Sequence, residues 1–145
     1  VKVITLSKVF LKGHPREGEP TNFRDKFLSG EKIHTIRMNR NGYYKDGDVV
    51  SVRQWSVKPY RSKQDVIADG VKIGIEPIVF FKKRLNSPAV FSKAARWPIN
   101  YVRLAHNDGL SVDDFVNWFY LKSASGFDAS IIHFTNFRYA KGDTE

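Results

Sequence analysis

The chain contains no cysteine and a single methionine. Disulfide scaffolds, thiolate zinc sites, iron–sulfur clusters and cysteine nucleophiles are therefore excluded. No apolar run approaches the roughly 18 residues that a membrane span needs. The N-terminal VKVITLSKVF is followed by no small-residue cleavage site. Together these absences predict a soluble, cytoplasmic protein without membrane contact. The four histidines (His14, His34, His106 and His133) have no sequence neighbours at metal-ligand spacing, and no HExxH or GxSxG run occurs. No metal or other cofactor is expected, and no hydrolase nucleophile elbow. Gly42 and Gly47 have the outer spacing of a phosphate-binding loop, but Asp48 and Val49 stand where that loop needs Lys and Ser or Thr. An acid at that place repels phosphate.

What the chain does have is enough apolar matter for a core. Its 145 residues are 41% hydrophobic, with eleven Phe, six Tyr and three Trp. A domain of this size buries roughly 68–70% of the surface its unfolded form exposes. Formal net charge is +9, from 24 Lys/Arg against 15 Asp/Glu. Residues 1–57 carry 11 cations against 6 acids, residues 58–103 carry 10 against 3, and residues 104–145 carry 3 against 6. A basic body with an acidic C-terminal third suits anionic partners, nucleic acid among them, and equally describes a solvated surface that aids solubility.

Period-2 alternation dominates, so strands should outnumber helices. Strands are expected over residues 1–10, 33–38, 48–57, 64–73, 72–83 and 130–139. In the last, Ile132 and Phe134 are expected on one face and His133, Thr135, Phe137 and Tyr139 on the other. Phe23, Phe27 and Leu28 recur at helical spacing behind Thr21, with Gly30 as a stop. A second helix over 112–121 is signalled by Ser111 and Asp114 in an acidic capping pattern and by Phe115, Trp118 and Phe119. Residues 85–100, with Pro88 and Pro98, are poorly periodic. These elements predict an α+β fold, a small, strongly bent sheet or β-barrel of mixed strands with two or more flanking helices. One domain is expected over 1–145, with an insertion at about 58–100.

One constellation carries chemistry, Gly30-Glu31-Lys32-Ile33-His34-Thr35-Ile36-Arg37 followed by Asp46-Gly47-Asp48-Val49-Val50. On a strand beginning near Ile33, Thr35 and Arg37 share a face, and the Lys32 stem can curl back over it from the preceding turn. A threonine hydroxyl attacks only when a base removes its proton, and a lysine is such a base only when its pKa of about 10.4 is lowered. Desolvation and a neighbouring cation both lower it, and Arg37 is such a cation. On spacing alone, the same residues also describe a solvated strand end. Arg53, Trp55, Lys58, Tyr60 and Arg61 interleave aromatic and basic side chains, a pattern suited to stacking on a base and contacting phosphate. Core packing is the competing reading for Trp55, whereas Tyr60 is the better ligand contact.

The order helix, Gly-x-Lys-x-x-Thr-Ile-Arg, loop, Gly47-Asp48-Val49-Val50, then Asp108-Gly109-Leu110-Ser111-Val112-Asp113-Asp114-Phe115 and a terminal IIHFTNFRY resembles the ASCH family of PUA-like domains. It is particularly similar to the compact bacterial N(4)-acetylcytidine amidohydrolases, over about residues 21–57 and 104–139. The resemblance implies a β-barrel with flanking helices and metal-independent hydrolysis of an acylated cytosine nucleoside. It assigns Lys32 as base, Thr35 as nucleophile and Asp108 as acid/base, with Arg37 near the substrate. The compact enzymes have Glu where this chain has Asp108, so the carboxylate is one methylene shorter. An acid at that place also suits the N-terminus of the following helix through its dipole. Two other functions are compatible with the resemblance, a non-enzymatic RNA-binding module and a ribonuclease on the same scaffold.

Overall fold

The computed structural model describes residues 2–82, 88–119 and 126–141. It is mixed α+β, mostly strand. In chain order the elements are β1 (Lys2–Thr5), α1 (Phe23–Ser29), β2 (His34–Arg37), β3 (Val49–Trp55), β4 (Gln64–Lys72), β5 (Gly74–Lys82), β6 (Pro88–Ser92), β7 (Pro98–Ile99), α2 (Tyr101–Asn107), α3 (Val112–Phe119) and β8 (Phe127–His133). Short 3₁₀ turns lie at Arg40–Gly42 and Tyr139–Lys141.

The strands form two sheets, ordered β1-β3-β4 and β2-β8-β5-β6-β7. β1 runs parallel to β3, and every other pairing is antiparallel. At one side the chain itself passes from one sheet to the other between β4 and β5, where Ile73 N donates to Asp48 O and Gly47 N to Ile73 O, both 2.8 Å, extending the β3–β4 pairing. At the other side the edges are β1 and β2, and no strand ladder joins them. An Arg37 Nη2 donates instead to the Thr5 carbonyl across that seam. The expected closed barrel is therefore not formed by the described residues. A guanidinium spans one link of the seam, but only a continuous ladder closes a sheet on itself.

The core follows the alternation. Val50 and Val52 of β3, Ile78 and Phe80 of β5, and Ile131 and Ile132 of β8 are fully buried. α3 lays Phe115 and Phe119 against the five-stranded sheet, where Phe119 stacks on Phe80 with centroids 5.2 Å apart and planes 9° apart. Ser111 caps α3 by accepting from the Asp114 backbone N–H at 3.1 Å, as the capping pattern predicts. Residues 120 and 121, the expected end of this helix, lie outside the described residues.

Three local expectations are corrected. The terminal strand ends at His133, and residues 134–136 bend, so Thr135, Phe137 and Tyr139 do not continue the face of His133. The Glu76 carboxylate draws the chain inward by accepting from the backbone N–H groups of Tyr139 (3.0 Å) and Ala140 (2.6 Å). α2 is a helix where the sequence pattern indicated none, capped by the Asn100 side chain, which accepts from Val102 N and Arg103 N. The first strand covers Lys2–Thr5 only, and the chain beyond it, with Leu6 and Phe10 buried, runs to an isolated bridge between Val9 and Pro20. The segment 58–100 supplies β4 to one sheet and β5, β6 and β7 to the other, with β5 paired between β8 and β6. It is built into the body of the fold.

Phe115 is the pin between α3 and the sheet, at 0% exposure. Phe115→Ala should cost about 3–5 kcal/mol of stability through the cavity left behind. Urea denaturation measures this. A loss within about 0.5 kcal/mol, the range of surface substitutions, would contradict the packing described.

Candidate active site

The open seam between β1 and β2 holds a cavity of about 200 Å³. Apolar walls come from Leu6, Leu11, Phe23, Ile36, Trp118 and Phe119, and polar groups from Ser7, Lys32, Thr35, Arg37 and Asp108. Residues 32, 35 and 37 arrive together because β2 starts immediately after the turn that ends α1. Gly30 closes α1 in the left-handed region at φ 84°, a conformation that favours glycine. The Lys32 N–H then donates to Lys26 O (2.9 Å) and the Ile33 N–H to Asn107 O (2.9 Å). This second bond ties the start of β2 to the end of α2 and so brings position 108 to the site.

Asp108 is the C-terminal cap of α2, not an acid at the start of α3. The helix dipole there opposes a carboxylate, so its favourable partner is a cation. That cation is Lys32. Its ammonium is buried, donates to the Asp108 carbonyl at 2.7 Å and to Asp108 Oδ1 at 3.3 Å, and lies 4.2 Å from the centre of the Phe23 ring. Burial pushes the Lys32 pKa below its ordinary value, opposed by Asp108 and reinforced by the charges of Arg37 and Lys26. Gly109 follows at φ 84°, and a Cβ there would sit 3.3 Å from Lys32 Cβ. The positive φ and the close approach of this turn to Lys32 both favour glycine. Thr35 is 6% exposed, and its Oγ1 accepts from Arg37 Nε at 3.4 Å. Burial lowers the Arg37 pKa as well.

Behind Asp108 stands a buried polar chain that sequence reasoning missed. His34 Nδ1 lies 3.3 Å from Asp108 Oδ1, His34 Nε2 lies 2.8 Å from the Tyr139 hydroxyl, and Asn107 Nδ2 donates to that hydroxyl at 2.9 Å. A carboxylate only accepts, so the proton of the neutral ring belongs on Nδ1, and Nε2 accepts from Tyr139. Every bond then points toward Asp108. Burial lowers the His34 pKa, which keeps the ring neutral. His34 pairs in register with His133, whose Nε2 is 2.7 Å from Glu76 Oε1. Burial also lowers the His133 pKa, against the opposing pull of Glu76. The available signal was the strand period, which turns His34 inward when Thr35 faces the seam, but its partners lie 74 and 105 positions away.

No family model matches the chain, and no curated protein or solved structure matches it either.

The remaining candidates divide. Trp55 and Tyr60 line a neighbouring cavity of about 230 Å³, which shares Leu6, Ser7 and Leu11 with the first. Arg53 lines neither. Its guanidinium is engaged within the three-stranded sheet, where Nε donates to Ser51 Oγ (2.9 Å) and Nη1 to Gln64 Oε1 (3.3 Å). Among the described residues no three His, Asp or Glu side chains gather as a metal-binding group.

The histidines make a test of the buried network. Unfolded histidine takes up a proton near pH 6.5, whereas His34 and His133 are held neutral by burial to lower pH. Over that window the unfolded state binds more protons, so stability falls as pH falls. Urea denaturation from about pH 7.5 to 5 should show a loss steepening toward about 1.4 kcal/mol per pH unit for each excluded proton. A flat profile would contradict the neutral pair.

Proposed function

We propose that the chain is an amidohydrolase that removes an acyl group from N(4)-acylated cytosine nucleosides such as N(4)-acetylcytidine, on a PUA-like fold of ASCH type. The observation that carries this reading is the convergence of Lys32, Thr35, Arg37 and Asp108 on one cavity with the ammonium buried. A volume of about 200 Å³ falls below the roughly 300–1,000 Å³ of clefts for drug-sized ligands. It suits one small ring with a short acyl arm. The aromatic walls Phe23, Trp118 and Phe119 favour a planar ring.

The chemistry follows from the contacts. Neutral Lys32 takes the Thr35 hydroxyl proton as Oγ1 bonds to the acyl carbon, and the Arg37 guanidinium faces the oxyanion that forms. Lys32 passes the proton to Asp108, 3.3 Å away. Asp108 delivers it to the cytosine nitrogen as the carbon–nitrogen bond breaks. Water then attacks the acyl-threonine, gives its proton to Lys32, and the acid leaves as the Thr35 oxygen regains a proton. In the resting arrangement Lys32 is turned to Asp108 and Thr35 to Arg37, and catalytic hydrogen bonds commonly tighten only when substrate is bound. The backbone carbonyl of Asp108 also holds Lys32, which compensates for the shorter side chain by fixing the pair through the main chain.

Incubation with N(4)-acetylcytidine should release cytidine. Thr35→Ala should abolish turnover and Thr35→Ser retain part of it, since the oxygen remains. Lys32→Arg keeps the charge but cannot lose its proton near neutral pH, so kcat should fall roughly 10²–10⁴-fold. Asp108→Asn can still accept from Lys32 and His34, so it should fold and fail in turnover, whereas Asp108→Glu should be tolerated. Parent rates in both Lys32→Arg and Thr35→Ala would remove the catalytic assignment.

A further inference from the structure

The hairpin between β3 and β4 has features that the reaction does not use. Tyr60 at its tip is 89% exposed and sits at φ 63°, in the left-handed region, where a bulky side chain is strained. The loop is braced by its own contacts. Ser62 Oγ accepts from Val57 N (3.1 Å) and donates to Lys58 O (2.7 Å), and Ser56 N donates to Lys63 O (2.8 Å). Strain and bracing together hold an uncovered aromatic ring outward, 5.2 Å from the half-buried Trp55 ring and tilted 49° to it. The cavity beneath shares Leu6, Ser7 and Leu11 with the active-site cavity, so the two lie side by side. Lys58, Arg61 and Lys63 are exposed on the same loop, and no acidic residue occurs from Val49 to Gln64.

We propose that the Trp55–Tyr60 hairpin is a second binding site, which stacks the base next to the reacting cytidine and holds its phosphate, so that the substrate is a nucleotide within a single-stranded polynucleotide. This inference rests on the nucleoside reading above and extends it from a free nucleoside to one in a strand. Stacking on an aromatic face beside cations is how single strands are gripped without sequence readout. The small central cavity admits one base only, so that base is unstacked from its neighbours, and the flanking nucleotide needs a new platform. The exposed ring supplies the platform and the three cations supply the charge complement for phosphate. A duplex presents neither a free base for the cavity nor a free face for Tyr60.

The test is binding of a labelled, unmodified six-nucleotide single-stranded RNA, read by fluorescence anisotropy, and needs no turnover. Tyr60→Gly is the informative variant, because glycine accepts φ 63° without strain. It should melt no lower than the parent yet bind the RNA about tenfold more weakly, while Tyr60→Phe binds like the parent. Parent affinity should fall steeply with salt, and the same sequence as a duplex should bind more weakly. Tyr60→Gly binding as tightly as the parent would overturn the site, as would equal affinity for single strand and duplex. If N(4)-acetylcytidine is hydrolysed but RNA binding ignores Tyr60, the second site is wrong and the reaction stands. If no cytidine is released but RNA binding depends on Tyr60, the site stands and the reaction is wrong.

Discussion

A buried ammonium against a helix C-terminus organises this molecule. Lys32 is 2% exposed, and a charge so placed must be paired or lose its proton. The fold answers in both ways at once. Asp108 offers a carbonyl and a carboxylate oxygen, while burial biases the group toward the neutral amine. To bring these partners together, α1 must stop at Gly30, α2 must end at Asn107, and the turn at Gly109 must lie close against the Lys32 stem. The bond from Lys26 Nζ to Gly109 O, at 2.7 Å, holds the same turn from the other side.

The seam between the sheets is the second constraint. A closed ladder between β1 and β2 would fill the space where Thr35 and Arg37 face Leu6 and Ser7. The unjoined edges leave room for the cavity, and Arg37 bridges them, while touching Thr35 through its Nε. The guanidinium that faces the cavity is therefore also a tie between sheets. Behind Asp108, the Asn107–Tyr139–His34 bonds fix the carboxylate from its far side, and Glu76 fastens the C-terminal segment that carries Tyr139. Removing any one member leaves a buried polar group without its partner, which is why such networks act as a unit.

The strands β3, β4 and β5 were legible because of their alternation, and Gly74 stands at the break between β4 and β5. The Lys32, Thr35 and Arg37 grouping was legible from the period of β2. α2 was not, since in seven residues only Leu104 and Ala105 are buried, too few to make a periodic face. The alternation of IIHFTNFRY overran the true strand end because residue type continues the pattern while the backbone turns toward Glu76, 63 positions away. The engagement of Arg53 within its own sheet was hidden for a similar reason. Its partner Gln64 is a cross-strand neighbour that only the pairing of β3 with β4 reveals. Local pattern reports the face a residue occupies, whereas long-range pairing decides what that face meets.

The proposed chemistry depends most on a Lys32 that gives up its proton more readily than a surface lysine. Direct titration of the Lys32 side chain by heteronuclear NMR, with ¹³C at Cε, tests this without reference to any substrate. The resonance should titrate below the ordinary value of 10.5 and move lower still in Asp108→Asn, because the carboxylate opposes the shift. A Lys32 that titrates together with the exposed lysines, unmoved by Asp108→Asn, would contradict the buried base on which the proposed chemistry stands.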